Sequence, residues 1–219
     1  MKKNIKYFDI LGSFALLEYN DIPCIETFII DNKKQLKNKK QFPYVMKLCS
    51  KQLLHKTEHK AVYLNLYSLK DLERAFNELN LLINKYKLKK GAIILQKQIK
   101  GPELIIGIKE DKSFGKTIMF GAGGIYTEVF KDKAIKLIPL TNKDINDLIS
   151  QTKIGNIFKN KKVARGETYS LASLKKLIKD ISNFAIKNDI KELDLNPVIV
   201  TPNGLEIVDA RIGILEWFM

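Results

Sequence analysis

The chain has 219 residues, 45% hydrophobic and 28% charged, with a formal net charge of +14. That is enough chain to bury a core in one domain or two small lobes, and no apolar run approaches the roughly 20 residues a membrane span needs. Cys24 and Cys49 are the only cysteines, too few for a disulfide framework, which predicts a reducing, cytoplasmic setting.

The opening Met1-Lys2-Lys3-Asn4-Ile5-Lys6 is basic, but no apolar stretch follows it, so no signal peptide is expected. The positive charge is almost all lysine: Arg74, Arg165 and Arg211 are the only arginines among 38 basic residues. Proteins that read nucleic-acid sequence favour arginine for bidentate contacts. Lysines spread along the whole chain instead predict solvated faces that attract anionic nucleotides, with no specific nucleic-acid partner.

In chain order, Ile10, Leu11, Phe14 and Leu17 have helical spacing, and Asn20-Asp21-Ile22-Pro23 ends that helix. Residues 24–30 read as a strand, and Asp31 as the cap of a short lysine-rich helix. Pro43 opens a strand from Tyr44 to Leu48. A polar loop, 50–60, leads to a strand at 61–66. Ser68 and Asp71 start a long capped helix to about Tyr86.

From Gly91 to Leu140 the pattern is strand after strand, at 92–99, 103–109, 116–120, 125–130 and 134–139, with a turn at Asp111–Gly115. Thr141 and Asp144 cap a further helix, and Ser170 caps one reaching Lys187. Residues 191–200 and 204–209 form a closing hairpin around Thr201-Pro202-Asn203-Gly204. The expected class is α+β, with lobes at 1–90 and 91–219 and a nucleotide cleft between them.

Glu192-Leu193-Asp194-Leu195-Asn196-Pro197 is the strongest chemical signal, with Val208-Asp209-Ala210-Arg211 after it. Strand residues two apart share a face, so Asp194 and Asn196 point the same way, and a hairpin can bring Asp209 opposite them. Two carboxylates and an amide oxygen suit Mg²⁺, a hard ion that also keeps waters for phosphates. The competing reading is that Asp194 and Asn196 only cap a turn before Pro197.

Lys47 lies inside an apolar strand, where a phosphate would compensate its charge; the alternative is a lysine snorkelling from a sheet edge. His55 and His59 stand four apart in the polar loop near Cys49. No third ligand follows at a recognised zinc spacing. His55 reads either as a solvated loop residue or as a nucleophile that takes up a phosphoryl group. Gly121-Ala122-Gly123-Gly124 matches neither a Rossmann fingerprint nor a P-loop; it reads as a tight turn or an anion-approach point. Glu103 and Glu128 fall on expected strands and read, by themselves, as surface residues.

These segments together resemble the ATP-grasp β subunit of ADP-forming acetyl-CoA and acyl-CoA synthetases. The resemblance runs through Leu16-Leu17-Glu18-Tyr19, Ile22-Pro23, Tyr44-Val45-Met46-Lys47 and His55-Lys56-Thr57-Glu58. It continues through Gly101-Pro102-Glu103, Phe114-Gly115, Phe120-Gly121-Ala122-Gly123-Gly124-Ile125, Glu128 and Arg165-Gly166. Glu192–Pro197 and Asp209-Ala210-Arg211 complete it.

The resemblance implies an ATP-grasp fold, with two lobes of antiparallel sheets gripping ADP or ATP. It implies that Lys47 contacts nucleotide phosphates, that Gln96, Lys97, Gln98 and Ile99 form the adenine-contacting hinge, and that Glu103 lies on the nucleotide side. Asn196 and Asp209, with Asp194 beside them, would hold Mg²⁺. His55 would be a mobile phosphohistidine charged by a CoA-binding α subunit in a hetero-oligomer. The implied activity is an acetate/acyl-CoA ligase (ADP-forming).

Two departures stand out. Lys60-Ala61-Val62 replaces the family's Gly-Gly-Val, and Asn20-Asp21 replaces a turn glycine. The first leaves open a degenerate ATP-grasp scaffold or nucleotide-sensing subunit. Another ATP-grasp ligase, a succinyl-CoA synthetase β-like chain, is the further alternative.

Overall fold

A computed structural model describes residues 5–50, 61–88, 91–124, 132–160 and 169–216. The strands are β1 (Ile5–Tyr7), β2 (Thr27–Ile29), β3 (Tyr44–Cys49), β4 (Val62–Leu66), β5 (Ala92–Lys97) and β6 (Glu103–Asp111), then β7 (Gly115–Ala122), β8 (Lys133–Leu137), β9 (Glu192–Thr201), β10 (Gly204–Ile207) and β11 (Arg211–Leu215). The helices are α1 (Ile10–Glu18), α2 (Leu69–Lys85), α3 (Asn142–Ser150), α4 (Lys153–Asn160) and α5 (Leu171–Lys187), with a 3₁₀ turn at Lys33–Leu36. Among the described residues no helix is long and apolar enough to cross a membrane.

The caps explain where the helices start. The Ser68 hydroxyl accepts from Asp71 N at 3.1 Å and donates to the Asp71 carboxylate at 2.8 Å, opening α2. Thr141 and Asp144 form a reciprocal box at α3, and Ser170 accepts from Ser173 N at α5. Such caps satisfy backbone donors that the first helical turn leaves without partners. The short lysine-rich turn is capped by Asn32 rather than Asp31, and it is 3₁₀ rather than α.

The chain forms two compact units. One is Ile25–Ile99, and the other joins Met1–Cys24 to Lys100–Met219. The first holds a four-stranded antiparallel sheet, β2-β5-β3-β4. The apolar stripe of α2, Leu72, Ala75, Phe76 and Leu79, is buried with Tyr44, Met46 and Leu48 of β3 and Ile93 and Leu95 of β5. Each fully buried Leu or Phe there contributes about 1.5–3 kcal/mol. The second holds an antiparallel sheet in the order β1-β11-β9-β6-β7-β8, with β10 also paired to β9. Its core face carries Ile106, Ile108, Ile118, Phe120, Leu193 and Leu195, and α5 buries Leu174, Ile178, Ile181 and Ala185.

The class is α+β, as expected, but the chain does not divide at Gly91. β5 pairs with β3 from Ala92 to Lys97, so it belongs with the strands before it. β1 pairs with β11, so the chain's first residues belong with its last. Three elements were not anticipated: β1, α4 and β11. The expected strand at 125–130 lies outside the described residues.

Candidate functional site

β9 organises the site. Along it Leu193, Leu195 and Val198 are buried while Asp194 and Asn196 are exposed, so the two polar side chains share the face away from the core. β11 meets β9 with Arg211 opposite Asp194, and β10 meets it with Ile207 opposite Val198. Between these pairings Val208 N donates to Pro197 O at 3.3 Å. The register is therefore unbroken across the β10–β11 junction, and Asp209 stands level with Asn196. On the other flank of β9 the residue opposite Asp194 is Gly107, which adds no side chain over the carboxylate.

The electrostatics follow from this crowding. Burial pushes the Asp194 carboxyl above its ordinary value, and the nearby Asp209 and Glu192 charges push the same way, against the Arg211 guanidinium. Asp194 as a residue remains exposed, on the face of β9 away from Leu193 and Leu195. The Asp194 and Asp209 charges repel, and the Arg211 guanidinium offsets part of that repulsion. Among the described residues no three His, Cys, Asp or Glu side chains gather to hold a metal. The candidate donor set is two carboxylates and one amide. Hard oxygen donors that leave positions for water and phosphate fit Mg²⁺.

Arg211 is held from a third strand. Its guanidinium carbon lies 4.0 Å from the centroid of the Tyr7 ring, and the Tyr7 hydroxyl donates to Glu192 Oε2 at 2.6 Å. The Arg211 Nε is buried and finds no hydrogen-bond partner among the described residues.

Glu103 opens β6 in the same unit, opposite Ile199. Gly123 N donates to Glu103 O at 2.7 Å. Gly124 has φ +65°, and a Cβ there would fall 2.1 Å from Glu103 Oε2. Gly124 is thus required by its backbone conformation, and Gly123 by close approach, since a Cβ there would fall 2.8 Å from the Leu104 carbonyl oxygen.

The other expected nucleotide residues lie in the Ile25–Ile99 unit. Lys47 is buried on β3, which runs between β5 and β4, so it is not a lysine reaching out from a sheet edge. It shares its face with Ile94, its register partner, and with Val45 and Gln96, which pair with each other. Gln96 is buried and donates through Nε2 to Thr27 Oγ1 at 3.0 Å. Lys97 ends β5 exposed, and Gln98 and Ile99 follow it. The Gln98 side chain accepts from Asn65 N at 2.7 Å and donates to Asn65 Oδ1 at 3.0 Å, holding Asn65 at φ +58°. Ala61, where the resemblance implies glycine, is buried, and its carbonyl accepts from Leu48 N at 2.9 Å.

His55, His59, Glu128 and Arg165 lie outside the described residues. Sequence reasoning assigned no role to Tyr7, Glu192 or Arg211. Arg211 was visible beside Asp209 in the sequence. The Tyr7 contact was not, because it depends on the first strand pairing with the last.

Comparison with known proteins is consistent with this geometry. Residues 2–214 match the ATP-grasp domain family. The β subunit of acetate–CoA ligase [ADP-forming] II from Pyrococcus furiosus is 38% identical, over 78% of this chain and 75% of that one. The 4-hydroxybutyrate–CoA ligase [ADP-forming] of Nitrosopumilus maritimus is also 38% identical over 79% of this chain, which spans 25% of that longer protein.

Acetyl-coenzyme A synthetase 1 of Ca. Korarchaeum cryptofilum superposes over 96% of this chain in two structures. The complex with coenzyme A and Ca-AMPCP has a TM-score of 0.84 at 28% identity, covering 94% of that chain. The complex with coenzyme A and Mg-AMPPCP, its phosphohistidine segment pointing towards the nucleotide site, has 0.78 at 30%, covering 93%. The chain belongs to the ATP-grasp family and, within it, to the β subunits of ADP-forming acetate–CoA ligases.

Proposed function

We propose that this chain carries the nucleotide half of an ADP-forming acyl-CoA ligase, transferring a phosphoryl group between a phosphohistidine and ADP. The observation that supports this best is the register that sets Asp209 level with Asn196, with its charge bearing on Asp194. In the direction of ATP synthesis, the P–N bond of phosphorylated His55 breaks. A β-phosphate oxygen of ADP forms the new P–O bond, and the imidazole keeps the electron pair.

Asp194, Asn196 and Asp209 would hold Mg²⁺, which when bound neutralises phosphate charge. Lys47 adds a second cation toward the phosphates. Gln96, Lys97, Gln98 and Ile99 take the adenine, and Glu103 bounds the nucleotide side. A CoA-binding α subunit supplies the phosphate from an acyl phosphate, so the working unit is a cytoplasmic hetero-oligomer.

The test uses the chain with and without an α subunit. Alone it binds ADP with Mg²⁺ but makes no acyl-CoA; together they turn over. His55→Ala abolishes ATP formation and leaves ADP binding intact, whereas His59→Ala keeps most activity. Full turnover in His55→Ala refutes the shuttle. Nucleotide binding with no turnover under any pairing favours the sensing subunit.

A further inference from the structure

The face that carries Asp194 and Asp209 is buttressed from the start of the chain. Tyr7, Gly213 and Glu192 lie in one row across β1, β11 and β9, since Tyr7 pairs with Gly213 and Gly213 with Glu192. Gly213 makes this row work. A Cβ there would sit 2.9 Å from Tyr7 Cε1 and 2.7 Å from Ile5 Cγ2, so only glycine lets the ring fold over β11. The Tyr7 hydroxyl then reaches past that glycine to Glu192 Oε2 at 2.6 Å. Anchored at its tip, the ring offers its face to Arg211, in the neighbouring row opposite Asp194, with the guanidinium carbon 4.0 Å from the centroid.

A guanidinium stacked on an aromatic ring loses side-chain freedom but keeps its in-plane N–H groups for an anion. Arg211 Nε is buried and meets no acceptor among the described residues. A buried donor on a cation is costly to leave unmade.

We propose that Tyr7 is a positioning residue: it holds the Arg211 guanidinium flat beside Asp194, where that cation meets the phosphate chain of a nucleoside diphosphate. The inference rests on the nucleotide reading above and adds a phosphate contact together with the device that sets it.

The experiment compares Mg²⁺–ADP with adenosine, which lacks phosphates, in equilibrium binding to the full-length chain. Tyr7→Leu removes the ring face and weakens ADP binding about tenfold, leaving adenosine within about twofold. Tyr7→Phe keeps the ring and stays within about threefold of the unaltered chain for ADP. Arg211→Ala loses at least as much ADP affinity as Tyr7→Leu, again sparing adenosine.

Unchanged ADP binding in Tyr7→Leu overturns the proposal. So does an equal loss of ADP and adenosine, which marks Tyr7 as merely structural. If Tyr7→Leu does not fold, Arg211→Lys decides. It keeps the charge but loses the planar stack, so it should lose ADP selectively, and unchanged ADP affinity overturns the proposal. An unaltered chain that binds no ADP refutes the nucleotide reading itself, and the positioning role falls with it.

Discussion

Asp209 lies level with Asn196 across the β10–β11 junction, and its charge bears on Asp194 two residues away along β9. The interruption between β10 and β11 matters here. It ends one pairing and starts the next in the same register count while the alternation of faces changes, since Ile207 and Val198 are both buried and Asn196 and Asp194 are exposed.

The first prediction follows from that alignment. Asp209→Ala weakens Mg²⁺-dependent ADP binding by roughly ten- to hundredfold, the range for losing a contact to a charged group of about 1.5–3 kcal/mol. Binding of ADP measured in EDTA changes far less. Titration calorimetry with and without Mg²⁺ checks both, and equal losses in the two conditions would refute a metal-specific role.

Two carboxylates should show pH dependences of opposite sign. Asp194 is raised by burial and by Asp209, so the stability tied to its protonated form is present in acid and lost as pH rises through its elevated value. Without metal, Asp194→Asn should therefore match the unaltered chain in acid and melt higher near neutrality, with Mg²⁺ removing the advantage. Asp189 is lowered by its hydrogen bonds to Lys116 at 2.6 Å and Lys191 at 2.8 Å, and then by their charges. Its contribution is present above the ordinary carboxyl range and lost as pH falls. Asp189→Asn should melt lower near neutrality, with the gap closing in acid. Melting curves across pH in EDTA test both, and parallel curves for either variant would contradict its assignment.

Gly121 gives a stability test away from the metal face. A Cβ there would sit 2.2 Å from Asp132 O, the same carbonyl that accepts from Ala122 N at 3.0 Å. Backbone cannot swing aside as a long side chain can, so Gly121→Ala should destabilise by about 1–3 kcal/mol, the usual cost of overpacking. Urea unfolding measures this. An unchanged midpoint would mean that β7 and β8 part more easily than their pairing suggests.

Much of the local structure was legible because it depends on neighbours in the chain. The Ser68–Asp71, Thr141–Asp144 and Ser170 caps, and the stripes of α2 and α5, are fixed by spacings of three and four residues. Asp194 and Asn196 share a face because strand side chains alternate, and the hairpin at Thr201–Gly204 placed Asp209 within reach of them. The motif order from Lys47 to Asp209 was enough to indicate the family.

What the sequence could not decide is which strands would pair. β5 joined the four-stranded sheet through β3, moving the boundary from Gly91 to Ile99, and β1 joined β11 from the far end of the chain. Strand pairing is set by burial and register between distant segments, for which local spacing carries no code. The same limit hid the Tyr7 contact: an aromatic near the first residue and an arginine near the last have no relation until the sheet places them in adjacent rows. The sequence alone determined the helices, the alternation along β9 and the chemistry of the donors. Only the tertiary structure brought Tyr7, Gly213 and Glu192 into one row and set Arg211 opposite Asp194, because only sheet closure fixes contacts between the two ends of the chain.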